Sequence, residues 1–190
     1  MIREPKTVQI EPQAKRFSVE DYERLIELGY LTPDDKVELI NGVIYNVAPM
    51  GSKHAHAMTV FGEELISSLK GKAVINSQCP IRLLPTSEPE PDFAVLKLPR
   101  SAYSGKLPKA EDVHFLVEVS NSTLYTDRST KLQLYAQHNV PEVWIVNLVD
   151  NQVEIYRDPK AGIYTSKTIK LADELVSPSA FPDTQIDWSL

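Results

Sequence analysis

The sequence contains a single cysteine, Cys79, among its 190 residues. One cysteine excludes an internal disulfide, and such scarcity is typical of proteins from a reducing compartment. No apolar stretch approaches the roughly 20 residues that a membrane helix needs. The first residues, Met1 to Phe17, lack the apolar segment of a secretory signal. We therefore expect a cytoplasmic protein with no membrane partner.

Positive charge is also scarce, because 20 lysines and arginines face 26 aspartates and glutamates, for a net charge of −6. This sign is wrong for a dedicated nucleic-acid scaffold. The basic residues do not form one run, so any DNA-facing patch must be assembled by folding. In contrast, the hydrophobic content of 42% and the charged content of 24% are those of an ordinary globular domain.

Hydrophobic spacing and turn signals predict an α/β fold. The polar residues 1–16 are interpreted as an N-terminal arm, followed by a single domain over residues 17–190. The polar connection 99–112 predicts a mobile loop. This order favours a central mixed β-sheet flanked by α-helices. The predicted helices cover 18–28, 52–70 and about 126–138; the predicted strands cover 37–47 (a hairpin turning at Asn41-Gly42), 73–84, 92–98, 114–120, 142–148, 152–157 and 164–171.

Two carboxylates stand in or beside short apolar runs. Asp92 begins the run Asp92 to Lys97 after a proline-rich loop, and Glu118 lies inside His114 to Ser120. Burying a carboxylate is costly unless a cation or hydrogen-bond donors compensate it. Because neighbouring strands lie about 4.8 Å apart, two such side chains could share one divalent metal ion. The pair indicates a metal-dependent phosphodiester hydrolase.

Strand alternation places Phe115, Val117 and Val119 on one face of this run, and Glu118 and Ser120 on the other. A lysine at position 120 would complete the pattern Glu-x-Lys. With an upstream Pro-Asp, here Pro91-Asp92, that pattern is how many metal-dependent nucleases place two metal ligands beside a cation. In this chain the lysine is replaced by serine.

Several stretches, in order and spacing, resemble the Uma-type restriction endonuclease family, formerly a domain of unknown function, in the PD-(D/E)xK nuclease superfamily. The resemblance spans roughly residues 17–157. The matching stretches are Val37-Glu38-Leu-Ile-Asn-Gly42, Ala48-Pro-Met-Gly-Ser-Lys-His54, Pro91-Asp92, Leu116-Val-Glu118-Val-Ser120, Asp127-Arg-Ser-Thr-Lys131 and Tyr135-Ala-Gln-His-Asn-Val-Pro-Glu-Val-Trp144-Ile-Val.

The resemblance implies a restriction-endonuclease-like core and assigns particular residues. Glu38 matches the upstream acidic residue of the superfamily, and Asp92 and Glu118 match its metal-binding pair. Lys131 matches a lysine that has moved from the strand to the following helix. The resemblance thus implies a catalytic set of these four residues, with the three carboxylates holding Mg²⁺ or Mn²⁺. His54 coincides with a family histidine.

The sequence therefore predicts an Mg²⁺-dependent endonuclease with DNA as its substrate. The main alternative is a catalytically inactive nucleic-acid-binding or assembly module of the same fold, which the missing strand lysine and the acidic net charge favour. Hydrolysis of another phosphate ester is a third hypothesis. Cutting both strands would be easiest for a two-fold homodimer, although no sequence feature marks an interface.

Structural roles also account for several of these residues. Asp92 could cap backbone amides at the start of a strand, and Glu118 could form an ion pair with Lys131 or Arg82. Cys79 is interpreted as a small core residue, and Trp144 as core rather than as a base-stacking side chain.

Overall fold

A computed structural model of the chain describes residues 14–189. The predicted arm, residues 1–16, therefore lies almost entirely outside the described residues. No helix within residues 14–189 is both long and apolar enough to cross a bilayer.

The first elements form where the local sequence predicts them. Helix α1 (Val19–Glu27) begins with a capping box, in which the Ser18 hydroxyl accepts the Asp21 N–H at 3.1 Å and the Asp21 carboxylate accepts the Ser18 N–H at 3.0 Å. A hairpin of β1 (Val37–Ile40) and β2 (Val43–Asn46) follows. Its turn residues, Asn41 and Gly42, have φ angles of 50° and 75°, which suits the predicted two-residue turn.

Six strands form one mixed sheet, as predicted. Their spatial order follows their chain order, and every neighbouring pair is antiparallel except β5 and β6, which are parallel. A parallel pair needs a crossover, which is provided here by a helical run over residues 124–137, called the site helix below. The strands are β3 (Val74–Ser77), β4 (Phe93–Leu96), β5 (Val113–Ser120), β6 (Glu142–Asn147), β7 (Gln152–Lys160) and β8 (Ile163–Leu171).

Apolar residues cover both faces of this sheet. Helix α2 (Ser52–Ser68) packs on one face, where its Phe61 meets the β5 residues Phe115, Val117 and Val119. Trp144 is fully buried there and stacks on Phe115 at 4.6 Å between ring centroids, which confirms it as core. The opposite face packs Leu116 of β5 against Leu134 and Tyr135 of the site helix. The predicted alternation along β5 is therefore confirmed.

The site helix is less regular than the predicted helix over 126–138. It starts earlier, with α3 (Leu124–Thr126), continues as a π-helical segment (Asp127–Lys131) and ends as α4 (Leu132–Gln137). Segments of π-helix are rare and often occur at functional sites, because the wider turn re-aims the side chains that it carries.

Two expectations from the sequence are wrong. The predicted strand 73–84 ends at Ser77, because Gln78 adopts a φ of 48° and Pro80 cannot donate a ladder hydrogen bond. The polar connection 99–112 is a loop, as predicted, and contains two 3₁₀ turns, Arg100–Tyr103 and Ala110–Asp112. Cys79 is partly exposed, not in the core, and its thiol donates to the Ser77 carbonyl at 3.3 Å.

A buried carboxylate, Glu88, lies where the loop 78–92 meets α1. Arg82 bonds to Glu23 of α1, and its Nε lies 3.7 Å from the Glu88 carboxylate. Glu88 is only 5% exposed. Burial, together with repulsion from Glu23, raises the pKa of Glu88 to about 7, although Arg82 opposes the shift. Between about pH 4.3 and pH 7, Glu88 is therefore protonated in the folded state and ionised in the unfolded chain.

Replacing Glu88 by glutamine should therefore stabilise the protein at high pH. In the wild type, the folded state binds the extra proton between about pH 4 and pH 7, so this group's contribution to stability falls as pH rises through that window. Compared with wild type, Glu88→Gln should gain about 1 to 3 kcal/mol at pH 8 and little at pH 4. Urea unfolding at both pH values measures the difference. Glu20→Gln, at an exposed position of α1, is the matched control. An equal gain for Glu88→Gln at both pH values would contradict the assignment.

Candidate active site

The side chains of Glu38, Glu118 and Lys131 converge below the hairpin. The Lys131 ammonium lies 3.2 Å from a Glu38 carboxylate oxygen and 3.4 Å from the Glu118 carboxylate. All three residues are buried, with at most 9% exposure. The hairpin contributes Glu38, β5 contributes Glu118, and the π-helical segment contributes Lys131. Lys131 thus links the π-helical segment to β1 and to β5.

Asp92 reaches the same place from the start of β4. The register pairs Phe93 with Val117, which sets Asp92 beside Glu118 on the neighbouring strand. One oxygen of its carboxylate accepts the Val119 N–H at 2.7 Å, and the other bonds to the His54 ring at 3.0 Å. The first bond is the backbone-capping role expected of a strand-start aspartate. The second links the first turn of α2 to the carboxylate group.

Ser120 occupies the position at which the Glu-x-Lys pattern has its lysine, and it bonds to the site helix. The Ser120 hydroxyl donates to the Asp127 carboxylate at 2.7 Å, so the end of β5 is tied to the start of the π-helical segment. Four residues further on, Lys131 directs its ammonium at Glu118. A cation therefore lies beside the strand carboxylate, although it comes from the helix.

These residues line one cavity of about 240 Å³, called the carboxylate cavity below. It lies between the hairpin, the beginning of α2, the ends of β4 and β5, and the site helix. Its polar lining comprises Glu38, His54, Gln78, Glu90, Asp92, Glu118, Asp127 and Lys131, among others. All four residues predicted from the sequence are in this group. The cavity is thus lined by more carboxylates than ammonium groups, since the only lysines among the described residues that line it are Lys36 and Lys131.

The charged side chains in the carboxylate cavity shift one another's pKa. Burial lowers the pKa of Lys131, but the surrounding carboxylates, Glu118 and Glu38 above all, outweigh burial and raise it. Lys131 is therefore a fixed positive charge at neutral pH. Burial raises the pKa of Glu118, and Asp127 and Asp92 add repulsion that Lys131 only partly offsets. Two ammonium groups, those of Lys131 and of the exposed Lys36, are outnumbered by the five acidic side chains of the lining, and this excess of acidic groups favours a further positive charge.

Sequence reasoning missed two side chains that complete this arrangement. Tyr135 is fully buried, and its hydroxyl donates to Glu118 at 2.5 Å. Asp127 is buried and holds Ser120. Both lie four positions from Lys131 on the same helix, so a search for polar residues at helical spacing around Lys131 would have found them. Of the two ion pairs expected for Glu118, only that with Lys131 forms, because Arg82 pairs with Glu23 and Glu88.

The remaining sequence candidates lie elsewhere. His56 is exposed on α2, two positions from His54, and does not share its contacts. Arg100, Lys106 and Lys109 are exposed in the 99–112 connection, and none of them lines the carboxylate cavity. These three cations are therefore not part of the site.

The donor set of the carboxylate cavity fits a hard divalent cation in its chemistry, because carboxylate oxygens are the ligands that such ions prefer. Within residues 14–189, however, no three histidine, cysteine, aspartate or glutamate side chains are placed so that they could hold one ion together. The carboxylates bond to other groups instead. Glu38 and Glu118 both form ion pairs with Lys131, and Asp92 bonds to the Val119 N–H and to the His54 ring.

Comparison with known families agrees with this architecture. The Uma2 family, described as "Putative restriction endonuclease", matches residues 19–189. The chain therefore belongs to the Uma2 family. The resemblance inferred from the sequence is confirmed.

Among solved structures, a crystal structure of a "putative nuclease belonging to DUF820" from Anabaena variabilis has the same fold. It superposes with a TM-score of 0.68 at 17% sequence identity, over 92% of this chain and 99% of that chain. No curated protein matches the chain significantly. This neighbour confirms the predicted α/β fold, and the description of the family indicates a restriction-endonuclease-like protein.

Proposed function

We propose that this protein is a DNA endonuclease that hydrolyses phosphodiester bonds with Mg²⁺ or Mn²⁺. The observation that carries the proposal is the placement of Lys131 between Glu38 and Glu118, beside Asp92, in one cavity. A buried ammonium among several buried carboxylates is costly to assemble for stability alone. Such clusters are typical of functional sites.

Asp92 and Glu118 are the residues that would hold the metal ion, with Glu38 as the third carboxylate. When bound, the ion would polarise a phosphodiester oxygen and lower the pKa of a water molecule. Glu38 also forms an ion pair with Lys131, at 3.2 Å. The excess of carboxylates over ammonium groups supports an added cation at this position.

The protein's own residues have distinct parts in this proposal. Lys131, held charged by its carboxylate neighbours, would stabilise negative charge that develops on the phosphate. Tyr135 donates to Glu118 and fixes the orientation of its carboxylate. His54 does the same for Asp92 from the first turn of α2. The latter two are positioning residues, because each acts through a carboxylate.

Incubation of the purified protein with supercoiled plasmid tests the proposal. Nicked or linear DNA should accumulate with Mg²⁺ or Mn²⁺ and not with a chelator, because the reaction depends on the ion. Titration calorimetry on the folded protein should detect binding of the same ions. Absence of both cleavage and metal binding would contradict the proposal. Linear product, rather than nicks alone, would point to two cooperating sites, which a two-fold homodimer supplies.

The second candidate is a nucleic-acid-binding or assembly module that does not cut. One observation favours it: the site carboxylates already bond to Lys131, Tyr135 and the Val119 N–H. Such a module would bind DNA in a salt-dependent manner and leave the plasmid intact with every metal.

A further inference from the structure

A second cavity, of about 520 Å³, adjoins the carboxylate cavity. Glu38, Asp127 and Lys131 line both cavities, so the two spaces meet at the ammonium group. The walls of the second cavity are the hairpin and the site helix with the turn before it. Its volume lies within the range of roughly 300 to 1,000 Å³ that is usual for small-molecule sites.

The lining of the second cavity does not suit a phosphate. Lys131 is the only lysine or arginine among the described residues that line it, and that ammonium already contacts Glu38 and Glu118. Instead, the cavity presents hydroxyl and amide groups together with apolar surface. The hydroxyl and amide groups are those of Asn46, Ser122, Thr123, Thr126 and Thr130. Such groups form hydrogen bonds with the edge of a base or with a sugar.

One aromatic ring lines the second cavity. Tyr45 pairs with Glu38 across the hairpin, so the two side chains project from the same face. Glu38 in turn contacts the Lys131 ammonium. Tyr45 lines the second cavity and is 50% exposed, so part of this residue is accessible to a ligand. Aromatic rings in this setting are typical platforms for unpaired bases.

We propose that the second cavity is a subsite for an unpaired nucleobase, so that the preferred substrate is single-stranded DNA. This inference rests on the proposed function, because it takes Lys131 as the position of the scissile phosphate. The neighbouring nucleotide then lies in the second cavity, with its base stacked on Tyr45. A base that remains paired and stacked in a duplex cannot enter a cavity between a hairpin and a helix.

The charge of the two cavities supports the same substrate. Of the described residues that line either cavity, Lys36 and Lys131 are the only lysines or arginines. Gripping a duplex relies on many phosphate contacts. Stacking is a sequence-tolerant source of affinity that needs few cations, worth about 1 to 3 kcal/mol per base.

Fluorescence anisotropy with a labelled oligothymidylate and a matching duplex tests the subsite. The measurement uses the wild-type protein in a chelator, so it does not require cleavage. Wild type should bind the single strand more tightly than the duplex. Tyr45→Ala should weaken single-strand binding roughly tenfold, and Tyr45→Phe should restore it, since the ring is what stacks. Tyr30→Ala is the matched control, because Tyr30 is 74% exposed and lines neither cavity.

The outcomes separate this inference from the proposed function. Equal binding of single strand and duplex, or full single-strand affinity in Tyr45→Ala with an unchanged melting curve, would overturn the subsite even if the protein cuts DNA. Tyr45-dependent binding of the single strand supports the subsite. If that binding occurs in a protein that cuts no DNA with Mg²⁺ or Mn²⁺, the subsite stands and only the nuclease function fails.

Discussion

Replacing Lys131 by methionine is expected to lower metal-dependent DNA cleavage by about 10²- to 10³-fold. This is the usual cost of removing one group that stabilises developing negative charge. Methionine has a similar length, so the packing of the site helix should be largely kept. The ammonium that contacts Glu38 and Glu118 is lost, and no other lysine or arginine among residues 14–189 contacts these two carboxylates. Initial rates of plasmid nicking in Mg²⁺ measure the effect.

Stability should change in the same variant, in a way that depends on the metal. Removing one partner of a buried ion pair leaves uncompensated charge and typically costs about 3 to 5 kcal/mol. A bound divalent ion would offset part of this charge, so Mg²⁺ should raise the melting temperature of Lys131→Met more than that of wild type. Lys106→Met, at an exposed position that lines no part of the site, is the matched control. If folded Lys131→Met cleaves DNA as fast as the wild type, Lys131 does not belong to the proposed catalytic set.

Replacing Asp92 by asparagine should strongly weaken metal binding and cleavage while leaving the fold intact. The amide oxygen of asparagine can still accept the Val119 N–H, which Asp92 accepts at 2.7 Å, but the charge that attracts the ion is gone. Metal assistance to such reactions is worth several kcal/mol, and each 1.4 kcal/mol is about tenfold in rate. We therefore expect a loss of about 10²- to 10⁴-fold. Calorimetry with Mn²⁺ and the nicking assay measure the two effects.

Asp112→Asn is a suitable control for this variant. Asp112 also accepts a backbone N–H, from Lys109 at 2.9 Å, but it lies outside the carboxylate cavity. Its replacement tests the effect of a capping aspartate alone. If Asp92→Asn binds Mn²⁺ as tightly as wild type, Asp92 is a structural cap and the metal assignment is wrong.

The two strand carboxylates, Asp92 and Glu118, could be found from the sequence because charged side chains seldom occur in or beside short apolar runs. A charged residue within Phe-Leu-Val-Glu-Val is costly to bury, so the sequence alone predicts that a cation or a hydrogen-bond donor compensates Glu118. The partner itself came from the family resemblance. Lys131 and Glu38, taken alone, look like an ordinary helix residue and an ordinary strand residue.

The parts that sequence reasoning missed are those set by contacts between distant segments. In the sequence, Tyr135 resembles one more apolar helix position, and only the structure shows that its hydroxyl donates to Glu118, at 2.5 Å. The π-helical segment at Asp127–Lys131 also has no clear sequence signal. Its wider turn depends on tertiary contacts, such as the bond between Asp127 and Ser120. Local patterns hold no information on such pairs.

The sequence by itself determined the elements whose causes are local. The capping box at Ser18, the Asn41-Gly42 turn and the alternation of β5 each depend on neighbours within a few residues. Tertiary structure alone decided the position of the cation, because Lys131 lies 93 positions from Glu38 in the chain and meets it only after the sheet has formed. The physical reason is that side-chain periodicity fixes which face a residue takes, whereas long-range packing of helix, hairpin and sheet fixes what that face meets.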